Sequence, residues 1–221
     1  MIASVPKAAV LCSALLAASL SFSQGPPKET GTFRQPELVE IVKLDPTIKL
    51  DIRYATKNNF LSRPVYKQAR AFLQRPAAEA LVRVNQTLKA EGFGLLVFDG
   101  YRPWRVTKIL WDSTPTEKKS FVADPAVGSR HNRGCAVDLT LFDLKTAQAV
   151  KMPSEYDEMT ERSYPDYACS TPEATRLRDL LIAAMRAEGF TVFQTEWWHF
   201  DFKDWKEYAI LDLEFAEIKG K

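Results

Sequence analysis

The chain has 221 residues, 46% of them hydrophobic and 26% charged, which fits one globular domain with its own core and excludes a disordered chain. A formal net charge of +2, with no run of four or more basic residues, excludes a strong pull toward nucleic acid or an anionic membrane. The expected partner is a small molecule or peptide held in a pocket, and no stable protein partner is inferred.

Residues 1–23 stand apart from the rest. Lys7 is their only charge, and Ala8 to Leu20 is an unbroken run of small and apolar residues. Ser21-Phe22-Ser23 then offers small residues where a signal peptidase reads them, before Gln24-Gly25-Pro26-Pro27. This is the pattern of a cleaved secretory signal, with an uncleaved N-terminal anchor as the alternative. The run falls short of the about 20 apolar residues that a membrane span needs. Leu11 precedes Cys12 where a lipoprotein signal has a small residue. The expected protein is therefore exported, to the periplasm or outside the cell. Cys135 and Cys169 there either pair or stay free.

Residues 24–36 form a polar, Pro-bearing tether, and residues 37–221 form one domain. Leu38 to Tyr54 has the β-branched alternation of one or two strands, turning at Asp45-Pro46. A helix follows, entered at Pro76, with Leu81, Val84 and Leu88 on one face and Gly92 as its stop. Gly94 to Phe98 is a short buried strand ending in Asp99-Gly100-Tyr101-Arg102-Pro103, and a second helix runs from Pro103 to about Asp112. Cys135 to Phe142 alternates as a strand. Thr171 caps a third helix and Pro172 enters it; Leu177, Leu181 and Ala184 line it, and Gly189 ends it before a strand at Thr191 to Phe193. The first and last helices close with the same tetrapeptide, Ala-Glu-Gly-Phe, which shared C-cap chemistry explains without a duplication. Helices and strands that neither repeat as βαβ units nor segregate predict an α+β domain: a mostly antiparallel sheet with flanking helices.

The chain has only two histidines. His131 lies in SRHNRGCAVD, which ends at Asp138, and His199 closes Glu196-Trp197-Trp198-His199. A catalytic zinc takes three protein ligands and leaves a fourth position for water, and two imidazoles with one carboxylate are a suitable set. Asp138 sits in an apolar strand, facing away from Val137 and Leu139. A carboxylate is costly there unless paired or metal-bound, although the strand alone favours a salt bridge or an exposed sheet face. Cys135 shares the parity of Val137 and Leu139, so it points into the core and is not a ligand. No CxxC pair exists, which excludes a structural thiolate site. A zinc hydrolase also needs a general base, and Glu196 precedes His199 by three, but on a straight strand it faces away from His199. A bend or bulge is required to bring the two together.

SRHNRGCAVDLTL, DGYRP and EWWHF, with Tyr54-Ala55-Thr56, Asn59-Phe60, Tyr156-Asp157 and Glu161-Arg162-Ser163, resemble the zinc D,D-peptidases of the hedgehog-like fold. The resemblance is closer to the D-alanyl-D-alanine dipeptidases associated with vancomycin resistance, and it covers about residues 50 to 205. It implies one zinc ion per chain on His131, Asp138 and His199, with Glu196 as general base and Arg102 steadying an oxyanion. It also implies that Ser129 binds the dipeptide's carboxylate and that Asp157 and Tyr54 hold its ammonium. The implied reaction is hydrolysis of D-Ala-D-Ala or a closely similar dipeptide. The alternatives are a D,D-carboxypeptidase or peptidoglycan endopeptidase of the same superfamily and, further off, a non-catalytic zinc-stabilised binding module. Two features depart from the pattern. Cys135 stands where a small residue such as serine is expected, and the chain carries an expected signal sequence although the resistance enzymes act in the cytoplasm.

Overall fold

The computed structural model describes residues 25–168 and 171–219. The leader expected over residues 1–23 falls outside them, as does Cys169 of the open cysteine pair. Along the chain run β1 (Leu38–Glu40), α1 (Ile41–Leu44), β2 (Lys49–Leu50), β3 (Phe72–Gln74), α2 (Arg75–Ala90), β4 (Phe93–Asp99) and α3 (Trp104–Ser113). β5 (Ala136–Asp143), α4 (Pro172–Ala187), β6 (Phe190–Phe193) and β7 (Glu196–Phe202) complete the strands and α-helices of the described residues, which short 3-10 turns connect.

The main sheet has the order β2-β4-β5-β7-β6; β2 runs parallel to β4 and the other pairs are antiparallel. This is the mostly antiparallel α+β arrangement expected from the pattern. Along β5 the pleat separates two functions. Val137, Leu139 and Leu141 have no exposure and join the hydrophobic core, whereas Asp138 and Thr140 point to the opposite face.

The helices cover the apolar face for reasons written in their sequences. Pro76 occupies the first turn of α2, and Ala77, Leu81, Val84 and Leu88 form its fully buried stripe. The Thr171 hydroxyl caps α4 by accepting from the Ala174 amide at 3.2 Å. Gly92 and Gly189 follow α2 and α4 at φ of +86° and +87°, the left-handed conformation that glycine adopts without strain. Shared capping thus accounts for the repeated tetrapeptide. α2 and α4 pack on each other, α2 against β4 and α4 against β5, β6 and β7.

The segment from Leu38 to Tyr54 departs from expectation in one respect. The turn at Asp45-Pro46 is present, fixed by the Asp45 carboxylate, which accepts from the Thr47 amide at 2.9 Å. The strands that flank it are short and belong to different sheets. Leu38 to Ile41 is buried at every position rather than at alternate ones, because β1 pairs with β3 in a second, two-stranded sheet and α1 then turns the chain toward β2. The N-terminal stretch also lies against the domain. Glu29 accepts from Arg133 at 2.5 Å and from the Ile210 amide at 2.6 Å.

Gly100 sits where β4 passes β3, and the Tyr101 amide donates to the Phe72 carbonyl at 2.7 Å. A Cβ on Gly100 would stand 2.7 Å from that same carbonyl oxygen. Gly100→Ala is therefore expected to force the two segments apart and lower stability by about 1–3 kcal/mol, the usual cost of overpacking. Urea denaturation measures this, and a midpoint equal to that of the unaltered chain would contradict it.

Candidate active site

Strand register places two of the candidate ligands. Asp138 on β5 pairs directly with His199 on β7, so their side chains leave the same face of the sheet. His131 arrives from a tight turn, His131–Arg133, that ends at Gly134 with φ of +69°. Asn132 pins this turn from inside. Its side chain donates at 2.8 Å to both the Arg102 carbonyl and the Thr107 hydroxyl, and it accepts from the Ser129 amide at 2.8 Å.

The bend that Glu196 requires is present. Phe193 pairs with Glu196, yet the neighbouring Val192 pairs with Phe200, so Trp197 to His199 bulge out of the ladder with β6 while His199 keeps its place opposite β5. Both tryptophans are thereby buried, and Trp197 donates to the Ser154 hydroxyl at 2.8 Å. The bulge brings Glu196 Oε2 to 3.7 Å from His199 Nδ1.

Three donor atoms converge on one point. His131 Nε2 and His199 Nδ1 lie 3.0 Å apart, and Asp138 Oδ1 is 3.3 Å from the first and 3.0 Å from the second. Ligands bonded at about 2.0–2.1 Å to a tetrahedral ion stand about 3.3 Å from one another. The outward nitrogen of each ring is taken. His131 Nδ1 donates to the Gly100 carbonyl at 2.7 Å, and His199 Nε2 faces Asp201 Oδ1 at 2.9 Å. Since a carbonyl oxygen only accepts, the inward nitrogen of a neutral His131 presents a lone pair. Asp138 Oδ1 is buried and has no hydrogen-bond partner, although its sister oxygen accepts from the Tyr156 hydroxyl at 2.9 Å. These residues form a set that can hold a metal ion, and they fit one.

The electrostatics agree. Burial opposes a charge on Asp138, but His131 and His199 outweigh it and hold the carboxyl well below the ordinary range. Burial likewise opposes a charge on His199, but Asp201 and Asp138 outweigh it and raise the ring to about 10. The cluster thus favours positive charge at its centre. Burial pushes Glu196 up to about 8, with His199 pulling the other way.

Arg102 is almost fully enclosed. Its Nε donates to Asp99 Oδ2 at 2.9 Å, its Nη2 lies 3.6 Å from Asp138 Oδ2, and its guanidinium lies 5.2 Å from the Tyr54 ring centre. Asp99 is itself fixed by the Tyr66 hydroxyl at 2.8 Å and the Gly100 amide at 2.9 Å. Across the cavity the Tyr54 hydroxyl donates to Asp157 at 3.0 Å. Asp157 is a non-glycine residue at φ of +61°, a strained conformation that aims its carboxylate. Burial and the nearby Asp138 push its pKa up to about 7, against the Tyr54 hydrogen bond. Ser129 is buried at the pocket wall, and its hydroxyl accepts from the His131 amide at 3.2 Å.

All eight candidate residues therefore line one cavity of about 310 Å³, together with apolar side chains such as Phe60, Phe121 and Phe193. The sequence reasoning missed Tyr156, Asp99, Asn132 and Asp201. Asp99, Asn132 and Tyr156 stood inside the motifs without a role assigned to them, and Asp201 carried the signal that on a strand it shares the face of His199. The arrangement combines a three-donor metal set, a carboxyl beside it and a fixed guanidinium, which together suit hydrolysis of a polarised carbonyl.

A family model described as D-ala-D-ala dipeptidase matches residues 34–218. The D-alanyl-D-alanine dipeptidase of Escherichia coli (strain K12) is 35% identical over 180 residues, which is 81% of this chain and 92% of that protein. Those of Enterococcus faecium and Streptomyces coelicolor are 33% and 34% identical, each across 71% of this chain and 87% of the relative.

Proposed function

This chain belongs to the D-ala-D-ala dipeptidase family, and from that premise we propose that it is a zinc peptidase that hydrolyses D-alanyl-D-alanine or a closely similar dipeptide. The observation that carries the proposal is the convergence of His131 Nε2, His199 Nδ1 and the unpartnered Asp138 Oδ1 within one cavity. These three residues would hold one zinc ion per chain, which lowers the pKa of a bound water to about 7 and polarises a carbonyl.

The remaining roles belong to the protein's own groups. Glu196 accepts the proton of the attacking water and passes it to the leaving nitrogen. Its raised pKa falls when a cation sits at His199 and Asp138, because a nearby positive charge favours the carboxylate. Arg102, held by Asp99, faces the negative charge that develops on the carbonyl oxygen. Ser129 meets the terminal carboxylate of the dipeptide. Asp157, with Tyr54, meets the ammonium. In a dipeptide the amine is one residue from the scissile carbonyl, so a carboxylate so close to the metal set favours a free dipeptide over a longer chain. A D,D-carboxypeptidase would lack use for this anchor.

Export belongs to the same proposal. It rests on Lys7, the run Ala8 to Leu20 and the small residues before Gln24, and it places the reaction outside the cytoplasm, at the cell wall. Mass spectrometry of protein from the native host is expected to find a mature N-terminus near Gln24. An intact Met1 form in the cytoplasm would contradict this.

Glu196→Ala is expected to retain its metal and lose about 10²–10⁴-fold in turnover. Loss of the metal from the folded variant would instead make Glu196 a ligand.

Asp157 gives a pH dependence with a definite sign. Its raised pKa means that the carboxylate is lost as pH falls through about 7, and with it the counterion of the ammonium. KM for D-Ala-D-Ala is expected to rise as pH falls through that range, and Asp157→Asn is expected to flatten the profile. N-acetyl-D-Ala-D-Ala, lacking the ammonium, is expected to be cleaved far more slowly. Equal rates on the free and blocked dipeptides would favour the carboxypeptidase.

A further inference from the structure

Asp201 lies two residues beyond His199 on β7, so the period of the strand puts both side chains on one face. Its two oxygens face two different groups. Oδ1 lies 2.9 Å from His199 Nε2, and Oδ2 lies 3.5 Å from Arg130 Nε. The Asp201 side chain is only 14% exposed, so these interactions are little screened by water. Across the ladder Asp201 pairs with Ala136 and Thr191, neither of which competes for it with charge.

Arg130 belongs to the other ligand-bearing segment, immediately before His131. Its guanidinium is held against two rings, 4.8 Å from the centre of Trp205 and 5.9 Å from that of Phe193. Its Nε is buried without a hydrogen-bond partner, which leaves the ion pair with Asp201 as the interaction that the structure offers it. The chain His199–Asp201–Arg130 therefore ties the strand that carries one imidazole to the turn that carries the other.

We propose that Asp201 is a positioning residue. It fixes His199 with its proton on Nε2 and its Nδ1 lone pair toward Asp138 and His131, and Arg130 holds Asp201 in place for this. The inference rests on the reading of His131, Asp138 and His199 as metal ligands. A neutral imidazole exchanges its proton between two nitrogens, and only the form bare at Nδ1 can ligate here. A carboxylate on the far nitrogen selects that form, fixes the ring plane and makes the donor more basic.

The test is a zinc titration of the purified full chain against a competing chelator, with folding checked by circular dichroism. His199→Ala is the reference for loss of a ligand. Asp201→Asn and Asp201→Ala are expected to bind zinc about 10–100-fold more weakly than the unaltered protein. Turnover is expected to recover largely when zinc is raised while the circular dichroism of the zinc-free variant matches that of the unaltered chain, which separates weaker binding from a loss of stability that zinc would also mask. Arg130→Gln, which keeps the carboxylate but frees it, is expected to give a smaller loss in the same direction. Zinc affinity unchanged in folded Asp201→Asn would overturn the proposal. If neither Asp201 variant folds, unchanged affinity in Arg130→Gln overturns it. If the unaltered chain binds no zinc, or His199→Ala binds it equally well, the ligand assignment fails instead, and that outcome is distinct.

Discussion

Two imidazole nitrogens and a carboxylate oxygen sit 3.0–3.3 Å apart in a site shielded from water. Such an arrangement is stable only with positive charge at its centre, a proton on His199 or a bound cation, and in a poorly solvated site that demand is strong. Much of the surrounding structure serves to hold it. The register of β5 against β7 sets Asp138 opposite His199. Asn132 and the Gly100 carbonyl keep His131 turned inward. The helices supply the rigidity from behind, through the fully buried Val137 and Leu139 that alternate with Asp138.

The rest of the pocket is organised around the same charge. Arg102 reaches Asp138 Oδ2 only to 3.6 Å, because its Nε is committed to Asp99 and because Tyr156 already donates to that oxygen. The guanidinium is thus shared between two carboxylates, with a short hydrogen bond to Asp99 and a longer ion pair to Asp138. Asp157 lines the same cavity, strained in its backbone and braced by Tyr54, with its proton affinity raised by burial and by Asp138. A carboxylate in that condition gains most from a cationic partner, which a dipeptide's ammonium supplies.

The legibility of this site in the sequence was uneven. Two histidines in the whole chain, both in motif company, marked the centre, and β5 announced itself by alternation. Helices α2 and α4 were readable from Pro and Thr at their starts and Gly at their ends. α1 and β3 were not, because one helical turn and three strand residues buried throughout are too short to show the periodicity that separates strand from helix. Glu196 came from the resemblance rather than from spacing. The bulge that makes its geometry possible depends on pairing between β6 and β7, which no local pattern encodes. The hydrogen bond of Tyr54 to Asp157 spans 103 residues; the resemblance put both at one ammonium, but no local pattern shows that they meet. Asn132 works through the Arg102 carbonyl and the Thr107 hydroxyl, contacts that exist only once the chain has folded.

The most direct test of this account is X-ray absorption at the zinc edge on the purified protein, with the metal content measured on the same sample. One zinc per chain is expected, with two imidazole nitrogens and a carboxylate oxygen at about 2.0–2.2 Å, and a pattern that is lost in His131→Ala. A sulfur shell near about 2.3 Å would place the metal on a cysteine instead. That result, or an unchanged spectrum in His131→Ala, would contradict the central claim.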